Sequence, residues 1–368
     1  MVKKQKIYYA LLIAVLAVPI IFVLFLFIAD FNTDDIIVAV IDTGVDYNHE
    51  FLKGKVLDGI DVVDFDQNPM DEFGHGTHVS GIIVKNAPAA KILPIRTLNK
   101  NGVNGYFPNG LCILYAIMKG ADIINMSYSS KSDPTTSIAV KFGHMKGVIF
   151  VGAAGDQNSD GVKFPASLNE VISVGTVKPS MKKIYRRSNF GEDIDYIAPG
   201  VAILSSDTQK SYFKRTGTSM SAAYVSGAIA YLKTKNSRIN SKTIKGYLDQ
   251  DANTINDKIK YKVIDINKIK AINENAPYFD IKDIPLDYKN AEINISYEAL
   301  FIDEIKIFNN HKLISTVNPI EQKKISVDLK NGTNLIRFVA KSKTNLFIKE
   351  IKVYKNKQKR IIEDRTAL

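Results

Sequence analysis

A single cysteine, Cys112, stands among the 368 residues, so the chain can form no internal disulfide. It lies in the apolar stretch from Leu111 to Met118, which reads as a helix, and the role expected there is a small buried hydrophobe. Histidine is also scarce, with five in all. His75 and His78 stand at helical spacing, but no third Cys, His or carboxylate follows at a zinc-like interval, so no metal and no cofactor is expected. His49, His144 and His311 lack even that context and read as structural or solvated. Lysine and arginine outnumber acidic residues 49 to 38, a net charge of +11, yet the excess is spread out apart from a basic run between Lys341 and Arg360. Without a recognition motif or an aromatic-interleaved basic patch, a nucleic-acid partner is not expected. Hydrophobic and charged fractions of 45% and 24% are ordinary for a globular protein and suggest neither a disordered chain nor a multi-span membrane protein.

The amino end carries more information. Lys3, Lys4 and Lys6 precede the uncharged apolar run from Ile7 to Ile28, and Asp30, Asp34 and Asp35 follow it. At about 1.5 Å per residue such a run spans a hydrocarbon core of about 30 Å. Cleavage of a signal peptide after Ala29 would put Phe27 where a small residue is required, so an uncleaved anchor is expected. The lysines hold residues 1–6 in the cytoplasm, 7–28 span the membrane, 29–35 form a linker, and the rest faces outward. The expected location is therefore the cell membrane, single-pass, with the bulk of the chain on the extracytoplasmic side.

Three short segments carry the chemistry: Asp42-Thr43-Gly44, His75-Gly76-Thr77-His78-Val79-Ser80-Gly81 and Gly217-Thr218-Ser219-Met220-Ser221. A hydroxyl at its free pKa is a poor nucleophile; it needs an imidazole to take its proton and a carboxylate to orient that imidazole. Asp42 ends the unbroken apolar run from Ile36 to Ile41, the signature of a buried parallel strand, and the carboxyl edge of such a sheet is where sites are built. His75 and Ser219 each open an apolar helical run, from Val79 to Val84 and from Met220 to Leu232. Further strands are expected near Ile92 to Thr97, Asp122 to Ser127, Val148 to Ala153 and Val171 to Thr176, an α/β alternation that implies a mainly parallel sheet flanked by helices. Asp-Thr-Gly is also the aspartic-peptidase triplet, but that chemistry needs two facing carboxylates and only one triplet occurs.

With Asp122-Ile123-Ile124-Asn125-Met126-Ser127, Val151-Gly152-Ala153-Ala154-Gly155, Phe164-Pro165-Ala166, Ser188-Asn189-Phe190-Gly191 and Ile197-Ala198-Pro199-Gly200, the chain from about Ile36 to about Ala271 resembles the subtilisin-like (subtilase) serine peptidases. The resemblance implies a peptidase domain over 36–272. It also implies an endopeptidase in which Asp42, His75 and Ser219 form the triad, a peptide or protein substrate, and a cis Phe164–Pro165 peptide. A substrate would lie as an added strand between Lys100 to Asn104 and Ser127 to Ser130, with Gly102, Val103, Asn104, Ser127, Tyr128 and Ser129 as substrate-binding residues. Its P1 pocket would be walled by Ser127 to Ser130 and by Ala153, Ala154, Gly155 and Asp156. Lys163 would lie near the pocket base, where an ammonium suits an acidic P1 residue or snorkels to solvent.

Four departures qualify the resemblance. The family's side-chain oxyanion donor is an Asn, and Asp156 holds that position here, offering negative charge when ionised and a donor when neutral. Ala223 and Tyr224 follow the serine segment where a Pro is customary, which alters packing more than chemistry. The short segment from Ile82 to Lys91 offers no carboxylates for a hard cation, so calcium dependence is not expected. Between anchor and first strand, Ala29 to Asp35 leaves no room for a folded inhibitory prodomain.

After Asp265-Ile266-Asn267 the pattern changes to short alternating segments, Ile305 to Phe308, Lys324 to Leu329, Leu335 to Val339 and Ile348 to Val353, separated by turn residues such as Asn309-Asn310 and Lys330-Asn331-Gly332. A β-sandwich over 273–368 is expected. The phrase Asn331-Gly332-Thr333-Asn334-Leu335-Ile336 resembles bacterial immunoglobulin-like modules, which implies a cell-surface partner or a role in positioning substrate. The competing function class is a binding scaffold or adhesin built on a catalytically weakened subtilase, motivated by Asp156 and opposed by Asp42, His75 and Ser219.

Overall fold

The computed structural model describes residues 35–103, 108–257, 259–271, 278–283, 292–300, 302, 304–317, 324–341, 346–355 and 362–366. The expected span from Ile7 to Ile28 and substrate residue Asn104 lie outside the described residues. Among the described residues no helix is long and apolar enough to cross a membrane. The chain divides into two compact units: one holds the described residues through Ile244 with Asp251–Lys270, the other Lys245–Gln250 with the described residues from Ala271 onward.

The first unit is built on β1 (Ile37–Asp42), β2 (Ile60–Asp61), β3 (Lys91–Arg96), β4 (Ile123–Met126), β5 (Ile149–Ala153), β6 (Val171–Val177), β7 (Tyr196–Pro199), β8 (Ile203–Ser206), β9 (Tyr212–Arg215), β10 (Asn253–Asn256) and β11 (Lys260–Val263). Nine of these form one sheet in the order β10-β11-β7-β6-β5-β4-β1-β3-β2, parallel throughout except for the β10–β11 pair. All residues of β1, β4, β5 and β6 are buried, as near-continuous apolar strands in the middle of a covered parallel sheet must be. From β1 the chain first moves to β3 on one side and then to β4 on the other, so the strand order reverses at β1 and a crevice opens at the carboxyl ends of β1 and β4. Asp42 closes β1 at that crevice.

The longest helices of this unit are α1 (His75–Asn86), α2 (Asn109–Met118), α3 (Pro134–Met145) and α4 (Thr218–Lys235). Helix α4 buries Met220, Ala222, Ala223, Val225, Ala228, Ile229, Ala230 and Leu232, and a helix apolar nearly all round belongs inside the protein. Cys112 is free and fully buried in α2, and burial raises its thiol pKa to about 12. The Phe164–Pro165 peptide is cis.

The second unit contains two antiparallel sheets. Strands β12 (Tyr278–Asp283), β13 (Glu292–Leu300) and β16 (Lys324–Asp328) form one, in the order β12-β13-β16. Strands β14 (Glu304–Asn309), β15 (Lys312–Val317), β17 (Gly332–Lys341), β18 (Leu346–Lys355) and β19 (Ile362–Thr366) form the other, in the order β15-β14-β17-β18-β19. Both sheets supply buried apolar residues, Val327 from the first and Ile305, Ile307, Ile336 and Phe338 from the second. Residues Asn310 and His311, at φ 48 and 67, form the two-residue turn between β14 and β15, where left-handed residues match the twist of a hairpin. Buried Asn334 orders the turn before β17, donating to Lys330 O at 2.8 Å and accepting from Lys330 N at 2.9 Å.

Phe150, 1% exposed in β5, lies in the core of the first unit. Phe150→Ala is expected to lower stability by about 3–5 kcal/mol, because packed neighbours relax only partly into the space left. Urea unfolding measures the effect as a lower midpoint at unchanged slope.

Candidate active site

The crevice at the carboxyl end of β1 gathers residues far apart in sequence. Asp42 is fully buried, and its Oδ1 accepts from His75 Nδ1 at 2.7 Å and from Thr43 N at 2.8 Å. A carboxylate only accepts, so His75 carries its proton on Nδ1 and leaves Nε2 as a base. Burial disfavours charge on His75, but the Asp42 carboxylate outweighs it and raises the imidazole pKa above its ordinary value. Thr43 Oγ1 accepts from Gly76 N at 2.9 Å, docking the first turn of α1 on the end of β1.

The start of α1 is held by a residue that the motifs do not include. Asp71 Oδ1 accepts from the amides of Phe73 and Gly74 at 2.9 and 2.8 Å, and Oδ2 accepts from Thr77 N and Oγ1 at 2.9 and 2.6 Å. These bonds fill the donors that a helix start leaves open. Gly74 turns the chain at φ 93, and a Cβ there would stand 2.0 Å from Asp207 Oδ1, so only glycine fits. The one sequence signal for this cap is an acidic residue three positions before the glycine.

Ser219 is the second residue of α4. Its hydroxyl donates to Ser127 O at 3.0 Å, and Ser127 Oγ donates to Ser219 O at the same distance. Behind them Asn125 Nδ2 donates to Ser127 Oγ and Ser226 Oγ donates to Asn125 Oδ1, both at 2.9 Å, a buried network that fixes the crevice wall. The structure thus joins Asp42 to His75 directly and Ser219 to Ser127. For Ser219 to meet His75, its hydroxyl must rotate away from the Ser127 carbonyl.

Asp156 stands at the other side of the same helix start. Its Oδ1 accepts from Thr218 N at 3.0 Å and its Oδ2 from Thr218 Oγ1 at 3.2 Å, so it acts as an acceptor toward the residue before Ser219. Burial raises its pKa above the ordinary carboxylate value, while the Thr218 hydrogen bonds and the charges of Arg187 and His75 pull against that rise.

The remaining expected residues fall around this centre. Ser127, Tyr128 and Ser129 follow β4, and Ala153 ends β5 with Ala154 and Gly155 just after it, at two adjacent strand ends. Tyr128 is buried at 8% exposure and among the described residues its hydroxyl has no partner, so its ring is wall rather than surface. A Cβ on Gly102 would lie 3.2 Å from the Phe73 ring, which places that loop beside the segment leading to His75; Val103 is exposed. Lys163 is exposed, and its N donates to Ala154 O at 3.0 Å.

His78 is a packed histidine. Its Nε2 lies 3.0 Å from both Ile203 O and Phe213 O, tying α1 to the β8–β9 hairpin. His49 does the same from its loop, with Nε2 2.9 Å from Ser211 O. Among the described residues no group of three or more His, Cys, Asp and Glu side chains is arranged to hold a metal ion.

A parallel sheet with an Asp–His pair and a helix-borne serine at its carboxyl edge defines the class of subtilisin-like serine proteases. The chain belongs to the subtilase family (peptidase S8), whose model matches residues 33–273. It is 39% identical over 229 residues to a thermophilic serine proteinase of Bacillus sp. (strain AK1), covering 59% of this chain and 56% of that protein. It is 40% identical over 218 residues to the major intracellular serine protease of Bacillus subtilis (strain 168), covering 53% and 67%. A crystal structure of a cold-adapted subtilisin-like serine proteinase superposes with a TM-score of 0.59 at 29% identity, covering 64% of this chain and 91% of that one. The chain thus spans about half to two thirds of the length of the curated relatives it matches.

Burial lowers the His78 pKa from 6.5 to about 4. The folded state holds this ring neutral, so its stability is complete above pH 6.5 and is lost as pH falls toward 4, by up to about 3 kcal/mol. Denaturation midpoints across that window are expected to fall less steeply in His78→Gln than in the wild type.

Proposed function

We propose that the chain is a membrane-anchored serine endopeptidase whose peptidase domain faces outward. The observation that carries the catalytic reading is the 2.7 Å bond between buried Asp42 and His75 Nδ1, which orients the opposite ring nitrogen for proton transfer. In this reading Ser219 Oγ adds to the scissile carbonyl as His75 Nε2 takes its proton. The imidazolium then protonates the leaving amine, and water repeats the sequence to release the acyl group. The Ser219 backbone N–H supplies one donor to the oxyanion. Asp156 supplies a second when protonated and opposes the oxyanion when ionised. The substrate-binding roles of Gly102, Val103, Asn104, Ser127, Tyr128, Ser129, Ala153, Ala154, Gly155 and Lys163 belong to the same proposal.

The membrane reading rests on the lysines that precede the apolar run from Ile7 to Ile28. We assign the C-terminal unit as an immunoglobulin-like module that positions substrate or a cell-surface partner, on the strength of its two antiparallel sheets and the Asn334-ordered turn. A second reading, a binding scaffold with weakened catalysis, is favoured by the acceptor role of Asp156 beside the nucleophile.

A cell-impermeant fluorophosphonate is expected to label the wild type on intact cells and to leave Ser219→Ala unlabelled, with peptide hydrolysis reduced by about 10⁶-fold in that variant. Labelling only after lysis removes the outward-facing reading, and none under any condition favours the scaffold. Asp156→Asn tests the oxyanion side. The wild type needs His75 neutral and Asp156 protonated, and both pKa values are raised, so its rate should peak and then fall with pH. The variant is expected to show a single rising limb and a kcat about 10²-fold higher on the alkaline side. An unchanged profile would overturn this role for Asp156.

A further inference from the structure

Parallel strands share an amino edge as well as a carboxyl edge, and in the first unit the amino edge has a chemistry of its own. Helices α1 and α4 start at the crevice, where they carry His75 and Ser219, and α2 and α3 lead directly into the starts of β4 and β5. All four therefore end at the amino edge. Each carries an exposed lysine in its last turn or just past it: Lys85, Lys119, Lys146 and Lys235. A cation at a helix C-terminus is ordinary, because it faces the negative end of the helix dipole. Lys55 and Lys91, however, end no helix and lie on the same edge. Their amines donate to Pro88 O at 2.7 Å and to Gly54 O at 2.9 Å, both carbonyls, which leave the positive charge in place.

The start of β1 lies inside this basic region. Ile37 N donates to Asp122 Oδ2 at 2.9 Å, and Ile36 O accepts from Lys91 N at 2.9 Å. Beside these strand starts stand the carboxylates Asp35, Asp58 and Asp122, and the last is engaged by Lys233 at 3.2 Å and by the Ile37 amide. Glu170, Asp193 and Asp195 instead precede β6 and β7, further along the sheet. The amino edge is thus basic over β3, β1, β4 and β5 and acidic beyond them. From β1 the sequence leads back through the seven residues 29–35 to the apolar run from Ile7 to Ile28, and a chain of that length reaches at most about 25 Å. So short a tether holds the basic half near a bilayer at high effective concentration, where individually weak contacts suffice.

We propose that the basic half of this edge docks on anionic phospholipid headgroups of the bilayer that the apolar run spans. The inference rests on the membrane-anchored reading above and adds the orientation of the peptidase domain to it. Each lysine near an anionic surface adds to the attraction, and Met145, 68% exposed in the last turn of α3, brings an apolar contact beside Lys146. The acidic half is repelled, so the sheet tilts with its β7 end away from the lipid. The crevice then opens away from the bilayer, one strand length or about 20 Å above it.

The test uses the full chain reconstituted in vesicles of phosphatidylcholine, either alone or mixed with phosphatidylglycerol. A membrane-impermeant amine-acylating reagent, read by mass spectrometry, reports the accessibility of each lysine. Labelling of Lys85, Lys119 and Lys146 is expected to fall about fivefold on the anionic vesicles relative to the neutral ones and to recover in high salt. Lys100, past the carboxyl end of β3, should label equally on both. In a triple variant with Lys85→Gln, Lys119→Gln and Lys146→Gln, Lys235 should lose the protection it shows in the wild type, and thermal unfolding verifies that the variant is folded. Equal labelling on both vesicles in a chain that resists alkaline carbonate extraction overturns the docking inference alone, as does protection of Lys235 that survives the triple substitution. Protection that grows with protein density rather than with lipid charge also overturns it and assigns the face to a second copy of the chain. Extraction of the chain by carbonate overturns the membrane-anchored reading and the inference with it.

Discussion

The hydrogen bond between Asp42 and His75 is the constraint on which the first unit depends. It requires a buried carboxylate whose Oδ1 accepts from an imidazole and a backbone amide, while among the described residues its buried Oδ2 has no partner. The strand end, the glycine turn and the docking of α1 by Thr43 and Asp71 all serve to deliver that imidazole to that carboxylate. The parallel sheet supplies the place, because the reversal of strand order at β1 leaves its carboxyl end open between neighbours.

Helix starts are used twice, with opposite consequences. At α1, Asp71 spends its carboxylate on four donors and leaves the helix free to present His75. At α4, Asp156 takes the amide of Thr218, one residue before the proposed nucleophile, where an anion is stabilised by the helix start but stands, in the proposed reaction, beside the position of a developing oxyanion. A carboxylate that strengthens the helix therefore competes with the chemistry the helix supports. Protonation relieves that conflict, which links the rate of the proposed reaction to pH through Asp156 as well as His75.

Much of this was legible in the chain. Continuous apolar runs marked β1, β4, β5 and β6 because strands covered on both faces need no alternation, and the alternating segments after residue 300 marked β14 and β17 because their two faces differ. Asp42, His75 and Ser219 were legible because each sits at a strand end or helix start with its own local signature. Asp71 and the anchors of His78 were harder to read. Their roles arise from hydrogen bonds to backbone groups far away in sequence, such as Ile203 O and Phe213 O for His78, and a carbonyl carries no residue identity.

Sequence by itself determined the order of elements, the places of Asp42, His75 and Ser219 at a strand end and two helix starts, and the Asp at position 156, since these are properties of local pattern and side-chain chemistry. Tertiary structure alone decided which donors Asp71 and Asp156 accept, that the Ser219 hydroxyl rests on Ser127 O, and that Lys163 N donates to Ala154 O. The physical reason is the same in each case: a hydrogen bond depends on distance and direction in three dimensions, and only the closed sheet brings these distant segments within reach.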